Sequence, residues 1–145
     1  MKQVLIRKGR IIVEEVPAPA LDADSVLVET AYSLISAGTE TSVVAASGKS
    51  LLQMALDQPK RIGAALEMMR RDGVTQTLRA IRGVTDAALP TGYSCSGVVL
   101  EVGRNVADLK RGTRVACAGT DAATHAEINF VPRNFVAAID RKSVV

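Results

Sequence analysis

Four glycines between residues 92 and 112 constrain this sequence more than any other feature does. Residues 98–102 form a β-branched, apolar run typical of a largely buried strand, and a second apolar run follows at residues 115–118. Glycine-containing turns at residues 103–105 and 110–112 separate the two runs. The pattern therefore predicts a compact β unit in which one backbone passes close to another at the glycines.

The spacing of these residues resembles a known signature. From Gly92 to Val115 the sequence reads G-x4-G-V-V-x-x-V-G-x-x-V-x5-G-x-R-V, which is similar to the GroES-like amino-terminal domain of the medium-chain dehydrogenase/reductase superfamily, the alcohol dehydrogenases and quinone reductases. The family usually ends this motif with G-D-R-V, whereas Thr113 stands in place of the aspartate here. Residues 126–132 also resemble the family's A-E-x-x-x-V-P strand. The resemblance implies a mainly β fold with inserted helices, a GroES-like partly open β-barrel.

The amino-terminal part of the chain has the pattern of three strands followed by a helix. Residues 2–7 and 10–16 are short strand-like runs on either side of a Lys8-Gly9 turn, and residues 25–34 form the next strand. Alternation along this third strand places Val26, Val28, Thr30 and Tyr32 on one face. A helix is predicted to start within residues 36–40, because serine and threonine are good caps there.

A helical insertion of about residues 41–88 separates these strands from the glycine-rich pair. Between residues 41 and 82, seven Lys and Arg residues face three Asp and Glu residues, which is compatible with an ordinary solvated surface or with a docking surface for an anionic compound. Residues 1–139 are predicted to form the GroES-like domain. Residues 140–145 depart from what the resemblance leads us to expect, and we interpret them as a non-native or truncated tail.

The composition excludes some classes of function. Aromatic residues make up only 3% of the 145 residues, which argues against a single-stranded nucleic-acid binder that needs stacking platforms. The net charge of +3 does not by itself imply a polyanionic partner. No export signal or apolar run of membrane-spanning length is seen, so we predict a cytoplasmic protein with no membrane contact. Cys95 and Cys117 are predicted to be reduced.

The resemblance also indicates which chemistry is missing. Zinc-dependent members of the superfamily carry a cysteine ligand at the end of the strand that matches residues 25–34, and a histidine and a glutamate within a G-H-E-x-x-G motif. Ser36 and Tyr93-Ser94 occupy these places here, and hydroxyl groups are poor zinc ligands beside thiolate and imidazole. His125, the only histidine, is not expected to complete a three-ligand site. We therefore predict no metal and no zinc.

Five residues at positions that match the family's catalytic shell are expected to line the active-site cleft: Ser36, Thr39, Glu40, Tyr93 and Ser94. Ser36 and Tyr93 are the predicted catalytic residues, since a phenol can donate a proton or a hydrogen bond to a carbonyl oxygen while a serine orients it. The alternative stays open that Tyr93 only packs against its neighbours and that Ser36 only caps a helix.

No G-x-G-x-x-G fingerprint between a strand and a helix is present. The resemblance therefore implies that a missing Rossmann domain binds the NAD or NADP, and that this chain is the substrate-side domain of a zinc-independent NAD(P)-dependent oxidoreductase, without turnover by itself. Residues 33–40, the helical insertion and residues 89–97 are most similar to bidomain oxidoreductases of bacterial surface-polysaccharide clusters, which implies a small sugar-linked substrate, whereas the basic insertion would suit an anionic one. Two alternatives are a stand-alone GroES-like assembly module and a basic nucleic-acid-binding domain.

Overall fold

The computed structural model describes residues 1–48, 63, 67, 69–76 and 87–140, and this part of the chain is mainly β. Its elements in chain order are β1 (Lys2–Arg7), β2 (Arg10–Glu15), β3 (Ser25–Ser33), α1 (Ala37–Ser47), β4 (Leu89–Pro90), β5 (Ser94–Val102), β6 (Arg114–Ala118), β7 (Ile128–Pro132), a 3-10 turn (Arg133–Phe135) and β8 (Val136–Ala138).

The strands form two sheets that together make a curled half-barrel. The smaller sheet has the order β2-β1-β4, and the larger has the order β7-β3-β5-β6-β8. Strand β1 joins the sheets, because the Val4 N–H donates to the His125 carbonyl at 2.8 Å and the Glu127 N–H donates to the Lys2 carbonyl at 3.0 Å. The predicted mainly β, GroES-like partly open barrel is therefore confirmed.

The glycine-rich strand β5 lies at the centre of the larger sheet. It pairs antiparallel with β3 on one side and with β6 on the other. A Cβ atom added to Gly97 would lie 1.9 Å from the carbonyl oxygen of Glu29 in β3. Only glycine allows the two backbones to come this close, and the close approach predicted from the motif is confirmed at Gly97.

Valine side chains fill most of the core of the larger sheet. Five valine side chains are at most 1% exposed: Val26, Val28, Val99, Val115 and Val131. β-branched side chains pack well on a pleated surface, which explains how the fold manages with few aromatic residues.

The two cysteines belong to this core. Cys95 on β5 and Cys117 on β6 lie directly opposite each other, and both thiols are free. The hydrogen bond between the thiols, and then burial, raise the pKa of Cys117, whereas the same hydrogen bond lowers the pKa of Cys95 against the effect of burial. Both side chains therefore act as part of the packing between β5 and β6.

The turn between β1 and β2 holds the carboxyl end of α1. Lys8 and Gly9 form this tight turn, as predicted, both with positive φ. The Gly9 N–H donates to Ser47 Oγ at 3.0 Å, and a Cβ on Gly9 would lie 3.0 Å from the Gly48 Cα. The end of the helix is thus fixed to the hairpin by a hydrogen bond and a close backbone contact.

Strand β3 follows the predicted alternation at its start but not at its end. Val26 and Val28 are fully buried, whereas Tyr32, expected on the same face, is 65% exposed. The pairing with β5 shifts register between Leu27 and Val28 and again between Thr30 and Tyr32. Such bulges twist a strand and redirect the side chains that follow, so the alternation does not carry Tyr32 into the core.

The helical insertion is described in part. Residues 69–72 and 74–76 are helical, and Gly73 between them is not. The remaining residues of the predicted insertion between 49 and 86, and the tail residues 141–145, lie outside the described residues. Among the described residues, no helix combines the length and the apolar character needed to span a bilayer.

Candidate functional site at the end of strand β3

Strand β3 leaves the core and brings its last residues to the surface beside α1. The Leu34 N–H donates to the Ser94 carbonyl at 3.0 Å, so the chain stays against β5 as it turns. Leu34 and Ile35 are 62% and 71% exposed, and Ser36 is the N-cap residue of α1. The end of β3 and the first turn of α1 therefore form one edge of the molecule, and the candidate site lies along it.

Three polar side chains from separate parts of the chain meet at this edge. His125 Nδ1 lies 2.8 Å from Ser33 Oγ, and His125 Nε2 lies 3.0 Å from Glu40 Oε1. Ser33 ends β3, Glu40 lies in the first turn of α1, and His125 lies in the loop that precedes β7. We call this set the Ser33–His125–Glu40 triad.

The partners of His125 select one tautomer of its neutral ring. An ionised Glu40 can only accept hydrogen bonds, so the neutral ring carries its hydrogen on Nε2 and donates to Glu40. Nδ1 is then an acceptor, and the Ser33 hydroxyl donates to it. The same Glu40 oxygen accepts a second hydrogen bond from the Ser36 backbone N–H at 3.2 Å. This arrangement leaves the Ser33 oxygen able to accept a hydrogen bond from a bound molecule.

The main chain of His125 is held on both sides. Its N–H donates to the Thr91 carbonyl, and its carbonyl accepts from the Val4 N–H, each at 2.8 Å. The ring lies against Gly92, where an added Cβ would be 3.1 Å from both Cε1 and Nδ1. A larger residue at position 92 would displace the ring, so Gly92 keeps the space that the triad requires.

A buried asparagine supports the loop that carries His125. Asn129 Oδ1 accepts from the N–H and the hydroxyl of Thr124 at 2.9 and 2.8 Å, and Asn129 Nδ2 donates to Thr30 Oγ1 at 2.9 Å. Asn129 and Thr124 are both buried, so a lost hydrogen bond there would leave a polar group without water to replace it. The amide thus ties β3, β7 and the loop before His125 together.

Three of the five predicted site residues are brought together here. The Ser36 hydroxyl donates to Thr39 Oγ1 at 3.2 Å, and the Ser36 N–H donates to Glu40. Ser36 occupies the N-cap position of α1, but its side chain makes no hydrogen bond to the helix backbone. The Ser36 hydroxyl is therefore directed toward Thr39 at the surface.

The other two predicted site residues lie on the neighbouring strand. Tyr93 directly precedes β5 and Ser94 begins it, and both are half-buried. Their carbonyls accept hydrogen bonds from Gly119 and Leu34. Within the described part of the chain, neither side chain is hydrogen-bonded to the triad. Their roles in catalysis and in the cleft stay predictions.

Ser33 and His125 are the residues of the candidate site that sequence reasoning missed. In the sequence, His125 stands out only as an insufficient zinc ligand, and Ser33 only as part of the strand that leads to Ser36. One local signal pointed to His125, because this histidine, the only one in the sequence, directly precedes the Ala126-Glu127 pair of the family-like strand. The partnership itself joins positions 92 residues apart.

The donor groups at this edge do not fit a zinc site. Hydroxyl groups of Ser36, Tyr93 and Ser94 stand at the positions that the resemblance equates with zinc ligands. His125 and Glu40 bond to each other, and no group of three or more His, Cys, Asp or Glu side chains in the described ranges is placed to hold a metal ion. Zinc sites use three or four such ligands, so the set is insufficient.

A cavity of about 290 Å³ opens beside the triad, and Ser33 and His125 form part of its wall. Its other lining residues are Lys2, Gln3, Val4, Val13, Thr30, Ala126 and Glu127. The volume is near the lower end of the range for small-molecule sites. A cationic and an anionic side chain, Lys2 and Glu127, take part in the lining, so the cavity suits a small polar molecule.

Comparisons with known proteins find similarity in structure alone, because neither a family model nor a curated protein matches the sequence. The Escherichia coli quinone oxidoreductase complexed with NADPH matches 99% of this chain with a TM-score of 0.61 and 13% identity, over 35% of its own length. A Rhizobium etli protein provisionally named a zinc-dependent alcohol dehydrogenase matches 99% with a TM-score of 0.64 and 18% identity, over 34% of its length. The E. coli galactitol-1-phosphate dehydrogenase matches 98% with a TM-score of 0.59 and 20% identity, over 39% of its length.

The chain thus spans little more than a third of the length of these solved proteins. They include an NADPH complex and a protein with a zinc-dependent name, so the likeness does not separate zinc-dependent from zinc-independent proteins. At such low identities the likeness establishes the fold. The chain has the fold of the GroES-like, amino-terminal part of the medium-chain dehydrogenases/reductases.

Proposed function

We propose that this chain is the substrate-side domain of an NAD(P)-dependent oxidoreductase that works in the cytoplasm without zinc. A Rossmann domain outside these residues holds the nicotinamide cofactor. The observation that carries the proposal is the polar edge at the end of β3, where Ser36, Thr39 and Glu40 are linked by hydrogen bonds. This edge lies in the fold of medium-chain dehydrogenases/reductases, at positions that resemble their catalytic shell.

The bound cofactor supplies hydride transfer, and this chain supplies position and hydrogen bonds. Tyr93 donates a hydrogen bond or a proton to the carbonyl oxygen of the substrate, and Ser36 orients the reacting group. Thr39, Glu40 and Ser94 line the cleft. The hydrogen bond from Ser36 to Thr39 fixes the direction of the serine hydroxyl before a substrate arrives, which lowers the entropic cost of the reactive geometry.

Zinc independence rests on the chemistry of the donor groups. The hydroxyl groups of Ser36, Tyr93 and Ser94 are poor ligands for zinc but good hydrogen-bond partners for a carbonyl or an alkoxide. The proposed site therefore handles the developing charge on oxygen with hydrogen bonds.

The proposed substrate is a small anionic or sugar-linked compound. Lys2, Gln3 and Glu127 line the cavity beside the triad, and such side chains suit hydroxyl and phosphate groups. One matched structure is named as a galactitol-1-phosphate dehydrogenase, which is consistent with this class of substrate.

The test compares this 145-residue chain with the full-length gene product. Nicotinamide fluorescence is followed while NADH or NADPH is titrated, zinc content is measured by mass spectrometry, and turnover is assayed with aldehydes, ketones and oxidised sugar phosphates. We expect cofactor binding and turnover only in the full-length protein, with far less than one zinc per chain.

Two results would contradict the proposal. One is a full-length protein that binds neither cofactor, and the other is one zinc per chain whose removal abolishes turnover. A ring-shaped oligomer in light scattering, without cofactor binding, would favour the assembly module instead.

A further inference from the structure

We propose that Ser33 is a catalytic residue and that the Ser33–His125–Glu40 triad moves the proton that accompanies hydride transfer. The inference rests on the proposed oxidoreductase function and adds a proton path to it. Ser33 contacts the oxygen of the substrate, His125 takes the proton from Ser33, and Glu40 is a positioning residue for the ring.

The distances and the directions of the hydrogen bonds support this order. Ser33 Oγ and His125 Nδ1 are 2.8 Å apart, and His125 Nε2 and Glu40 Oε1 are 3.0 Å apart, both within the range for proton transfer between positioned groups. The carboxylate stabilises the imidazolium that forms when the ring accepts a second proton. A base oriented by a carboxylate and bonded to a hydroxyl is the arrangement that activates a serine.

The exposure of the three side chains indicates which of them can exchange a proton with a substrate. The side chains of His125 and Glu40 are only 8% and 13% exposed, whereas Ser33 is exposed and lies in the wall of the cavity. A substrate in this cavity can reach the serine oxygen while the ring and the carboxylate stay behind it. The open end of the triad is therefore the hydroxyl of Ser33.

The charged groups at the cavity are few. Lys2 on β1 and Glu127 before β7 are the charged residues of its lining. The Glu127 carboxylate accepts from the Lys2 backbone N–H at 2.7 Å, so it is already engaged with the main chain of β1. Glu40 is the carboxylate that bonds to the ring, at Nε2.

Tyr93 differs from Ser33 in one respect that matters for proton transfer. No base is hydrogen-bonded to its side chain within the described residues, whereas Ser33 has the imidazole of His125 directly behind it. Ser33 also lies in the wall of the cavity, whereas Tyr93 is not among its lining residues, so the net proton passes through Ser33.

The step balances as follows for oxidation of an alcohol. The substrate O–H proton passes to Ser33 Oγ while the Ser33 proton passes to His125 Nδ1; an oxidised nicotinamide, when bound by the full-length protein, would supply the two-electron oxidant that accepts the hydrogen of the carbinol carbon. The C–H and O–H bonds break, a C=O bond forms, and an imidazolium remains beside the Glu40 carboxylate. Reduction of a carbonyl runs the same path in reverse. The substrate class is thus a small alcohol or carbonyl compound.

The kinetic test uses the full-length protein and a matched pair of substitutions. Ser33→Ala removes the hydroxyl and Ser33→Thr retains it, so we expect kcat to fall about 100- to 1000-fold in the first and to stay within about fivefold in the second. His125→Ala should lose a similar factor and regain part of it when imidazole is added. Ser42→Ala is the control, since Ser42 is an exposed α1 serine that bonds only to the Gly38 carbonyl.

A second readout does not depend on turnover. Diethylpyrocarbonate reacts with an unprotonated imidazole nitrogen, and mass spectrometry of the His125 peptide gives the rate. Because the Ser33 hydroxyl covers Nδ1, Ser33→Ala should raise this rate several-fold, whereas Ser33→Thr and Ser42→Ala should not. An unchanged rate in Ser33→Ala would contradict the hydrogen bond on which the proposal stands.

The outcomes separate this inference from the proposed function. If the full-length protein binds NAD(P)H and turns over but Ser33→Ala keeps its kcat, the proton path is wrong and the proposed function stands. Loss of kcat in Tyr93→Phe with none in Ser33→Ala would assign the proton to Tyr93. If no cofactor binds, both the function and the catalytic role fail, even where the diethylpyrocarbonate result supports the triad geometry.

Discussion

The two halves of strand β3 have different surroundings. The first half, which contains the fully buried Val26 and Val28, is paired with β7 on one side and with β5 on the other. Pairing with β7 ends at Glu29, apart from one further hydrogen bond from the Thr30 N–H to the Glu127 carbonyl, and the second half is paired with β5 and carries Ser33 to the surface. Strand β3 therefore contributes to the stability of the fold through its first half and supplies polar groups of the candidate site through its second half.

The largest expected effect comes from the point where the two halves meet. Gly97→Ala places a Cβ within 1.9 Å of the Glu29 carbonyl oxygen, so β5 must move away from β3, and we expect a loss of about 3 kcal/mol or more in the free energy of unfolding. Gly38→Ala in α1, where an added Cβ meets nothing within 4 Å, is the control. Urea unfolding followed by circular dichroism measures both. Equal stabilities would show that the pairing at this point is not tight.

The next effect contrasts a buried valine with an exposed one. Val28→Ala should lower the free energy of unfolding by about 2 kcal/mol, because it removes two methyl groups from a close-packed core. Val13→Ala, the same change at a side chain that is 63% exposed on β2, should stay within about 0.5 kcal/mol. Urea unfolding measures both variants. A similar loss of unfolding free energy in the two would contradict the distinction between the buried core and the exposed surface.

Asn129 connects the buried strands β3 and β7 to the loop that carries His125, so its substitution should affect both the stability of the fold and the candidate site. Asn129→Ala leaves Thr124 and Thr30 without their partner, and we expect a loss of about 2 kcal/mol in the free energy of unfolding. The loop that carries His125 should also loosen, with faster modification of His125 by diethylpyrocarbonate. Asn134→Ala, at an exposed position, is the control. A stability loss with no change in the reactivity of His125 would mean that the loop is held by other contacts.

The smallest effect is expected at the surface ion pair between Arg133 and Asp108. The Arg133 guanidinium holds the pKa of Asp108 below its ordinary value, chiefly through their hydrogen bonds. Since the pKa is lower in the folded state, the stabilisation is complete above the unfolded pKa of about 3.9 and is lost as the pH falls through the folded value. The difference in Tm between wild type and Asp108→Asn should therefore be small at pH 7 and vanish in acid. A difference that grows in acid would reverse the assigned direction.

Much of the fold follows from local sequence patterns. The Lys8-Gly9 turn, the strand that includes residues 98–102 and the close approach at Gly97 are each set by residues near one another in the chain, and turn and strand preferences act at that range. The exposure of Tyr32 was not predictable in this way, because the bulges in β3 depend on how β5 pairs with it.

The candidate site was only half predictable for the same reason. Ser36, Thr39 and Glu40 are close in sequence and in space, so a motif finds them together. The contact between Ser33 and His125 depends on the β1 and Thr91 backbone, which fixes His125 from outside its own segment. No spacing in the sequence encodes such a contact between distant segments.

The way in which α1 is fastened has a consequence for the length of the segment that follows it. Gly48 rests on the β1–β2 turn, and β4, just after residue 88, pairs with β1. The two flanks of the segment between Gly48 and β4 therefore lie on the same hairpin, and each doubling of a loop's length costs only about 0.6 kcal/mol in closure entropy. A change in the length of that segment should therefore cost little, and the edge that carries the triad keeps its own attachments to β5 and to the Thr91 backbone.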